Sequence, residues 1–216
     1  MKTAVIAGAT GMIGSELCRQ LARDDSGFDR VVALTRRPLD FSLAKLVEQP
    51  ADFGRLDRLD IGPIDTAFCT LGTTMKTAGS PEAFRLVDYD YALAFARFAR
   101  KAGARTFVLL TSVNAAATSR NFYLQVKGEL ELAVDGVGFE NLYILRPSFL
   151  IGNRQEVRTG EKLAIAVANT LQFAFIGALR KYRPIRAQAV AAGMCRVARR
   201  PEGGRHIWQY SEIVEK

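Results

Sequence analysis

The chain has 216 residues, enough for one doubly wound domain and too few for two. Hydrophobic residues make up 49% and charged residues 24%, which supplies a real core and excludes a disordered chain. Lys and Arg total 30 against 22 Asp and Glu, a net charge of +8; that balance admits nucleic acid, anionic lipid or a phosphorylated small molecule without choosing among them.

The first expected element is a short buried strand over Lys2 to Ala7. A glycine-rich stretch, Gly8 to Gly14, leads into a helix over Ser15 to Ala22. A second buried strand runs from Arg30 to Thr35, a third and weaker one ends near Asp52, and a fourth covers Asp65 to Thr70. Ser80-Pro81 has the form of a helix start, with Ser as cap and Pro at the first helical position. The helix over Glu82 to Ala102 follows and Gly103 stops it. Phe107 to Thr111 reads as a fifth strand, the region around Tyr123 to Val134 as a helix, and Leu142 to Leu145 as a sixth strand. Short apolar runs alternating with helices argue a parallel sheet covered on both faces. Right-handed crossovers then give a doubly wound α/β fold. Residues 1–216 form a single domain on this reading, and 147–216 supply mainly a small substrate-side lobe and closing elements. Among the latter are a helix over Ala187 to Val197 and a last strand over His206 to Ile213.

Cys18, Cys69 and Cys195 stand far apart and form no CxxC pair, so a disulfide framework is not expected and a reducing cytoplasm is. His206 is the lone histidine, so neither a metal site nor a catalytic histidine is expected. The N-terminus lacks a signal-peptide layout. The most apolar helical stretch, Leu163 to Leu179, is interrupted by Asn169, Thr170 and Gln172. It reads as a buried helix or a homodimer contact rather than a membrane span. Basic residues are spread along the chain with no nucleic-acid motif, so no nucleic-acid partner is expected.

Two motifs carry chemistry. The first is Gly8-Ala9-Thr10-Gly11-Met12-Ile13-Gly14, directly after a strand and opening a helix. Glycines here allow a tight turn, close backbone approach to a pyrophosphate and close helix–sheet packing. The free N–H groups and the positive end of the helix dipole then meet phosphate charge. Strand two ends in Arg36-Arg37, where an acidic residue would hold an NAD ribose. Guanidinium groups there suit a 2′-phosphate, which points to NADP(H) over NAD(H); the plain alternative is that the arginines are solvated surface charge.

The second motif is Tyr123-Leu124-Gln125-Val126-Lys127, in which spacing i, i+4 puts Tyr123 and Lys127 on one helix face. Ser112 closes strand five, at the carboxyl edge where open parallel sheets hold ligands. A lysine ammonium favours the phenolate of a nearby tyrosine, whose free pKa is about 10. Tyr123 could then move a proton to or from a carbinol oxygen, with Ser112 orienting the carbonyl.

These segments resemble the atypical branch of the short-chain dehydrogenase/reductase superfamily, and within it the Tat-interacting-protein-like family of NAD(P)-binding Rossmann proteins. The resemblance is carried by Gly8 to Gly14, Thr35-Arg36-Arg37, Asp52-Phe53, Leu71-Gly72-Thr73-Thr74, Val87 to Tyr91, Tyr123 to Glu129, and Arg146-Pro147 through Asn153-Arg154-Gln155-Glu156. It implies that Thr10, Met12 and Ile13 line the pyrophosphate and that Asp52 and Phe53 meet the adenine. It further implies that Leu71 and Gly72 lie along the ribose, that Leu150 approaches the nicotinamide, and that Arg158 reaches the cofactor or the substrate entrance. Asp88 departs from the asparagine that extended relatives often carry in this helix. The function expected is NADPH-dependent hydride transfer to or from a small carbonyl or alcohol. Nucleotide-sugar epimerase or dehydratase chemistry, and a non-catalytic NADPH-reading regulator, are the alternatives.

Overall fold

The computed structural model describes residues 1–151 and 177–215. Its elements begin with β1 (Thr3–Ala7), α1 (Met12–Leu21), β2 (Arg30–Thr35), β3 (Leu46–Pro50) and β4 (Thr66–Cys69). A short α2 (Met75–Ala78) precedes α3 (Pro81–Arg85), a π-helical segment over Leu86–Tyr91, and α4 (Ala92–Lys101). Then come β5 (Thr106–Leu110), α5 (Phe122–Asp135), β6 (Asn141–Leu145) and β7 (Leu150–Ile151). The chain closes with β8 (Ile185–Arg186), α6 (Ala187–Arg199), β9 (Gly204–Trp208) and α7 (Tyr210–Glu215).

Seven strands form one sheet in the order β3-β2-β1-β4-β5-β6-β9, and every neighbouring pair is parallel. Side chains alternate across it with period two. Ala4, Ile6, Val31, Ala33, Phe68 and Val108 face one layer, where Leu17 and Leu21 of α1 and Val190 and Met194 of α6 pack on them. Val5, Ala7, Val32, Leu34, Ala67 and Phe107 face the other, against Phe95 and Ala99 of α4 and Leu130 and Val134 of α5. The sheet is therefore buried on both faces, as its continuous apolar strands require. Strand order reverses between β1 and β4, so the carboxyl ends of β1 and β4 flank the crevice where open α/β sheets hold ligands.

Two boundaries differ from the sequence expectation. Helix α1 starts at Met12 with Gly11 as its cap, three residues before Ser15, so the last part of the glycine stretch is already helical. The expected strand over His206 to Ile213 splits. Its first part is β9, and the chain then turns into α7, where the Gln209 N–H donates to Glu212 Oε2 at 3.0 Å. Ile213 is buried under α6, and a Cβ on Gly193 would lie 3.1 Å from its Cγ2. Helix–helix packing thus takes the last apolar residue away from the sheet.

Candidate functional site

The glycine loop is built by steric necessity. Gly8 has φ +93°, and a Cβ there would lie 2.6 Å from the Thr70 carbonyl carbon. Thr70 fixes the other wall, since its N–H and its Oγ1 both donate to the Ala7 carbonyl, at 2.8 and 3.0 Å. A Cβ on Gly14 would sit 2.0 Å from the Gly8 carbonyl oxygen, so α1 can start this close to β1 only with glycine at both places. The Gly11 N–H turns back to Gly8 O at 3.0 Å and the Ser15 N–H reaches Gly11 O at 2.9 Å. Among the described residues, the N–H groups of Met12, Ile13 and Gly14 between them meet no acceptor. The first turn of α1 also carries no acidic residue. Three free donors at a helix start are what a phosphate group needs. Thr10 and Gly11 are exposed beside them, Met12 is half-buried, and Ile13 is in the core. The Ile13 side chain therefore cannot line a pyrophosphate; only its N–H can.

Arg36 and Arg37 follow β2 directly and are exposed. Neither has an ion pair or hydrogen bond among the described residues, so both forks are free. Asp52, just past β3, is exposed, and its Oδ1 accepts the Gly54 N–H at 2.9 Å in a local turn. Phe53 is only 3% exposed and packs on Tyr91 with ring centres 6.0 Å apart. Its side chain belongs to the core, which leaves its backbone to meet a base. Leu71 is half-buried against the α4–α5 core layer. Leu150 lies in β7, paired with Ile185 of β8, and packs against the opposite layer. Arg158 and most of the stretch from Leu163 to Leu179 lie outside the described residues.

Tyr123 and Lys127 both lie on α5. Asn121 caps that helix by accepting the Leu124 N–H at 3.1 Å. Tyr123 is half-buried against Phe84 of α3, with ring centres 5.6 Å apart. Lys127 is buried, and its Nζ lies 2.8 Å from Oδ1 of Asp88, which is wholly buried. The other carboxylate oxygen of Asp88 accepts the Thr73 N–H at 2.8 Å. Burial pushes the Asp88 carboxyl above the ordinary carboxylate range, against the pull of Lys127 and the Thr73 N–H. For Lys127 burial works downward, but Asp88 and then Tyr123 outweigh it, so the ammonium is held more firmly than in water. Ser112 is half-buried after β5, and among the described residues its hydroxyl meets only the Val113 carbonyl, at 3.4 Å. No hydrogen bond among the described residues joins it to Tyr123 or Lys127.

Sequence reasoning missed the surroundings of this face. Thr111 Oγ1 donates to Glu131 Oε1 at 2.6 Å. Arg146 grips the same carboxylate with two nitrogens, Nε on Oε1 at 3.0 Å and Nη2 on Oε2. Glu131 is 2% exposed and continues the Tyr123, Lys127 spacing by four more residues. Gly128 lets the loop after β5 lie on α5, because a Cβ there would be 2.2 Å from the Ala116 carbonyl carbon and the Ala117 nitrogen. Asn114 holds φ +63° in that loop and donates from Nδ2 to the Tyr182 hydroxyl at 3.0 Å. The Glu131 spacing was readable from the sequence; the partners across the fold were not.

Comparison with known proteins places this arrangement. A profile of the HIM1 family matches residues 46–178. The protein HTATIP2 of Rattus norvegicus is 38% identical over 170 residues, which cover 76% of this chain and 69% of the rat protein. The chain belongs to the HIM1 family. These matches bear out the resemblance to the Tat-interacting-protein-like family. The mitochondrial protein FMP52-2 of Scheffersomyces stipitis is 34% identical over 181 residues, covering 82% of this chain and 79% of that one. The expectation of a cytoplasmic protein is corrected by such relatives, since several fungal members are named as mitochondrial proteins. Redox state was a weak guide to compartment, because the absence of a disulfide pattern distinguishes secreted from intracellular chains and not one organelle from another.

The fold is shared more widely than the sequence. The Bordetella bronchiseptica enzyme WbmH, solved with NAD+, superposes with a TM-score of 0.70 at 16% identity, covering 98% of this chain and 76% of that one. The dTDP-glucose 4,6-dehydratase DesIV of Streptomyces venezuelae gives 0.68 at 18% identity, covering 96% and 76%.

Proposed function

We propose that this HIM1-family protein is an NADP(H)-dependent oxidoreductase acting on a small carbonyl or alcohol. The observation that carries the reading is the convergence of a phosphate-shaped glycine loop, a free arginine pair and the Tyr123/Lys127 face at the carboxyl side of one parallel sheet. The residues present fit the cofactor. Gly8 and Gly14 let α1 begin close against β1, where any Cβ would strike neighbouring backbone, and among the described residues the N–H groups of Met12, Ile13 and Gly14 stand free for a pyrophosphate. Arg36 and Arg37 are free for a 2′-phosphate. A bound dinucleotide would supply the hydride, or accept it in the reverse direction.

The chain's own part is proton movement and orientation. In reduction, the carbonyl carbon gains the hydride and the oxygen takes the phenolic proton of Tyr123, giving the alcohol and a phenolate. In oxidation the phenolate accepts that proton back. Lys127 lies one turn along the same face, and its ammonium, paired with Asp88, sets how far negative charge on the phenolate is stabilised. Ser112, whose hydroxyl among the described residues makes only the long bond to the Val113 carbonyl, can turn that hydroxyl to orient the carbonyl oxygen.

A melting screen with NADPH and NADH, followed by single-turnover loss of reduced-nicotinamide absorbance over a carbonyl panel, tests the reading. NADPH should stabilise more than NADH. The Arg36→Ala plus Arg37→Ala variant should bind NADPH at least about tenfold more weakly, since charge-assisted hydrogen bonds are lost. A preference for NADH, an indifferent double variant, or no turnover with any carbonyl would each count against it.

A further inference from the structure

Asp88 sits where the helical path from Pro81 to Lys101 changes pitch. The segment Leu86–Tyr91 is π-helical, and such wide turns are uncommon and cluster at functional sites. The widened turn splits its residues sharply. Leu86 is 43% exposed, while Asp88, two positions on, is 0% exposed. A fully buried carboxylate is costly to desolvate unless it is paired. Here one oxygen takes the Thr73 N–H at 2.8 Å and the other stands 2.8 Å from Lys127 Nζ. Among the described residues Oδ1 meets no partner other than the Lys127 ammonium. Among the described residues Lys127 has no other ion pair or hydrogen bond. The groups that act electrostatically on Lys127 are Asp88 from the π segment, Tyr123 from its own helix and Cys69 from the end of β4. Cys69 is held neutral, because burial pushes its thiol up to about 11.

Burial makes the counter-charge effective. Two opposite charges in contact look nearly neutral to a third group a turn away, and the low local dielectric does not screen the cancellation. The sequence pattern Tyr123, Lys127 promises a free ammonium beside the phenol; the fold delivers an ion pair. Gly72 lies against the buried pair. It is exposed, and a Cβ there would stand 3.4 Å from Asp88 Oδ1 and 3.6 Å from Lys127 Nζ. That is ordinary contact distance, so a Cβ at position 72 would touch the pair without clashing.

We propose that Asp88 is a positioning residue that fixes Lys127 in place and offsets its charge, so that Tyr123 works beside a neutral ion pair rather than a free ammonium. The proposal rests on the reading of Tyr123 as the proton-transfer group. It assigns to Asp88 the control of how readily that proton leaves.

The test follows the phenolate absorbance of Tyr123 as pH is raised. Tyr123 is isolated by difference against a matched Tyr123→Phe partner for each background. Asp88→Asn keeps the shape and an acceptor for Thr73 but leaves Lys127 uncompensated. Its Tyr123 phenolate should appear about one pH unit or more below that of the wild type, as expected for an unpaired cation one turn along the same helix face. Asp88→Asn combined with Lys127→Met restores a neutral pair and should return the phenolate to within a few tenths of a unit of the wild type. The double variant also guards against misfolding, because replacing a whole buried pair is tolerated far better than breaking it. Identical titrations in wild type and Asp88→Asn would overturn the proposal. So would a double variant that titrates with Asp88→Asn instead of with the wild type. Absence of carbonyl turnover in every variant, with the shifts present, would instead sink the oxidoreductase reading and leave the charge assignment standing. Where turnover is measurable, the proton-dependent limb of kcat should move with the phenolate, and KM for the carbonyl should not.

Discussion

Replacing Gly14 by alanine tests the loop geometry in the most direct way. The new Cβ would lie 2.0 Å from the Gly8 carbonyl oxygen, 2.7 Å from its carbon and 2.9 Å from Ala9 Cα. All three neighbours are backbone, so no rotamer change can relieve the clash. Overpacking ordinarily costs about 1–3 kcal/mol, and a contact this short against fixed backbone belongs at the upper end. For a domain of this size, 1 kcal/mol corresponds to roughly 2–4 °C in Tm, so a fall of about 6–12 °C is expected. The same displacement turns the free N–H groups away from their common focus. Wild type should gain roughly 2.7 kcal/mol from NADPH at a hundred times Kd, and Gly14→Ala should lose most of that gain. Gly203→Ala is the control, because an added Cβ there meets nothing within 4 Å. It should melt within about 2 °C of the wild type, as surface changes do. Differential scanning fluorimetry with and without NADPH reads all of this. If Gly14→Ala melts with the control, or keeps the full NADPH shift, the argument from close helix approach is wrong.

Other consequences follow from the buried groups. Arg146→Met leaves the buried Glu131 carboxyl without its guanidinium partner and should cost about 3–5 kcal/mol in urea unfolding. Glu131→Leu with Arg146→Met should cost much less, and simple additivity of the single changes would refute the pairing. Gly128→Ala drives a Cβ to 2.2 Å from the Ala116 and Ala117 backbone. It should displace the loop that carries Ser112, lowering both Tm and kcat; a normal kcat would show that the loop's position does not matter. Burial lifts the Cys69 thiol to about 11 and those of Cys18 and Cys195 to about 12. The native thiols should resist alkylation at pH about 8 and react on unfolding. Because the folded values are raised, this contribution to stability is whole below the unfolded thiol pKa of about 8.5. It is lost as pH rises toward 11, by roughly 1.4 kcal/mol per unit per thiol. Unfolding free energies at several pH values in that window should fall more steeply for the wild type than for the triple Cys→Ala variant, and equal slopes would refute the assignment.

The parallel sheet was legible because its strands are buried on both faces, which writes continuous apolar runs into the sequence at Thr3–Ala7, Arg30–Thr35 and Asn141–Leu145. Helix ends were legible where a side chain makes them. Ser80 caps the start of α3 by accepting the Ala83 N–H at 3.1 Å, and Ser80-Pro81 announces it. The start of α1 was misplaced because Gly11 caps it with no side chain at all. The split after Trp208 was hidden for the opposite reason: His206 to Ile213 is a single apolar-rich run, and only the docking of Ile213 under α6 separates a strand from a helix. At the site, the residues were legible and their states were not. Ile13 and Phe53 sit in motifs that imply a cofactor, yet both side chains face the core, because a loop that brings backbone to a ligand must anchor its apolar side chains elsewhere.

Helix α5 shows why the charge state escaped the sequence. Tyr123, Lys127 and Glu131 lie one turn apart on one face, and the sequence alone presents them as a stripe of polar groups. Such a stripe on most helices is solvated. Here it is turned inward, and each charge in it takes its partner from another element: Lys127 from Asp88 in the π segment, Glu131 from Arg146 after β6. An i, i+4 spacing gives the face but carries no information about a counter-charge tens of residues away. Two ion pairs pointing in opposite directions along the chain therefore hold this helix to the π segment before it and to the end of β6 after it. A catalytic effect at Asp88 or Arg146 can be separated from mere loosening of α5 only by pairing each single change with its charge-neutral double. The double keeps the helix docked and removes the field.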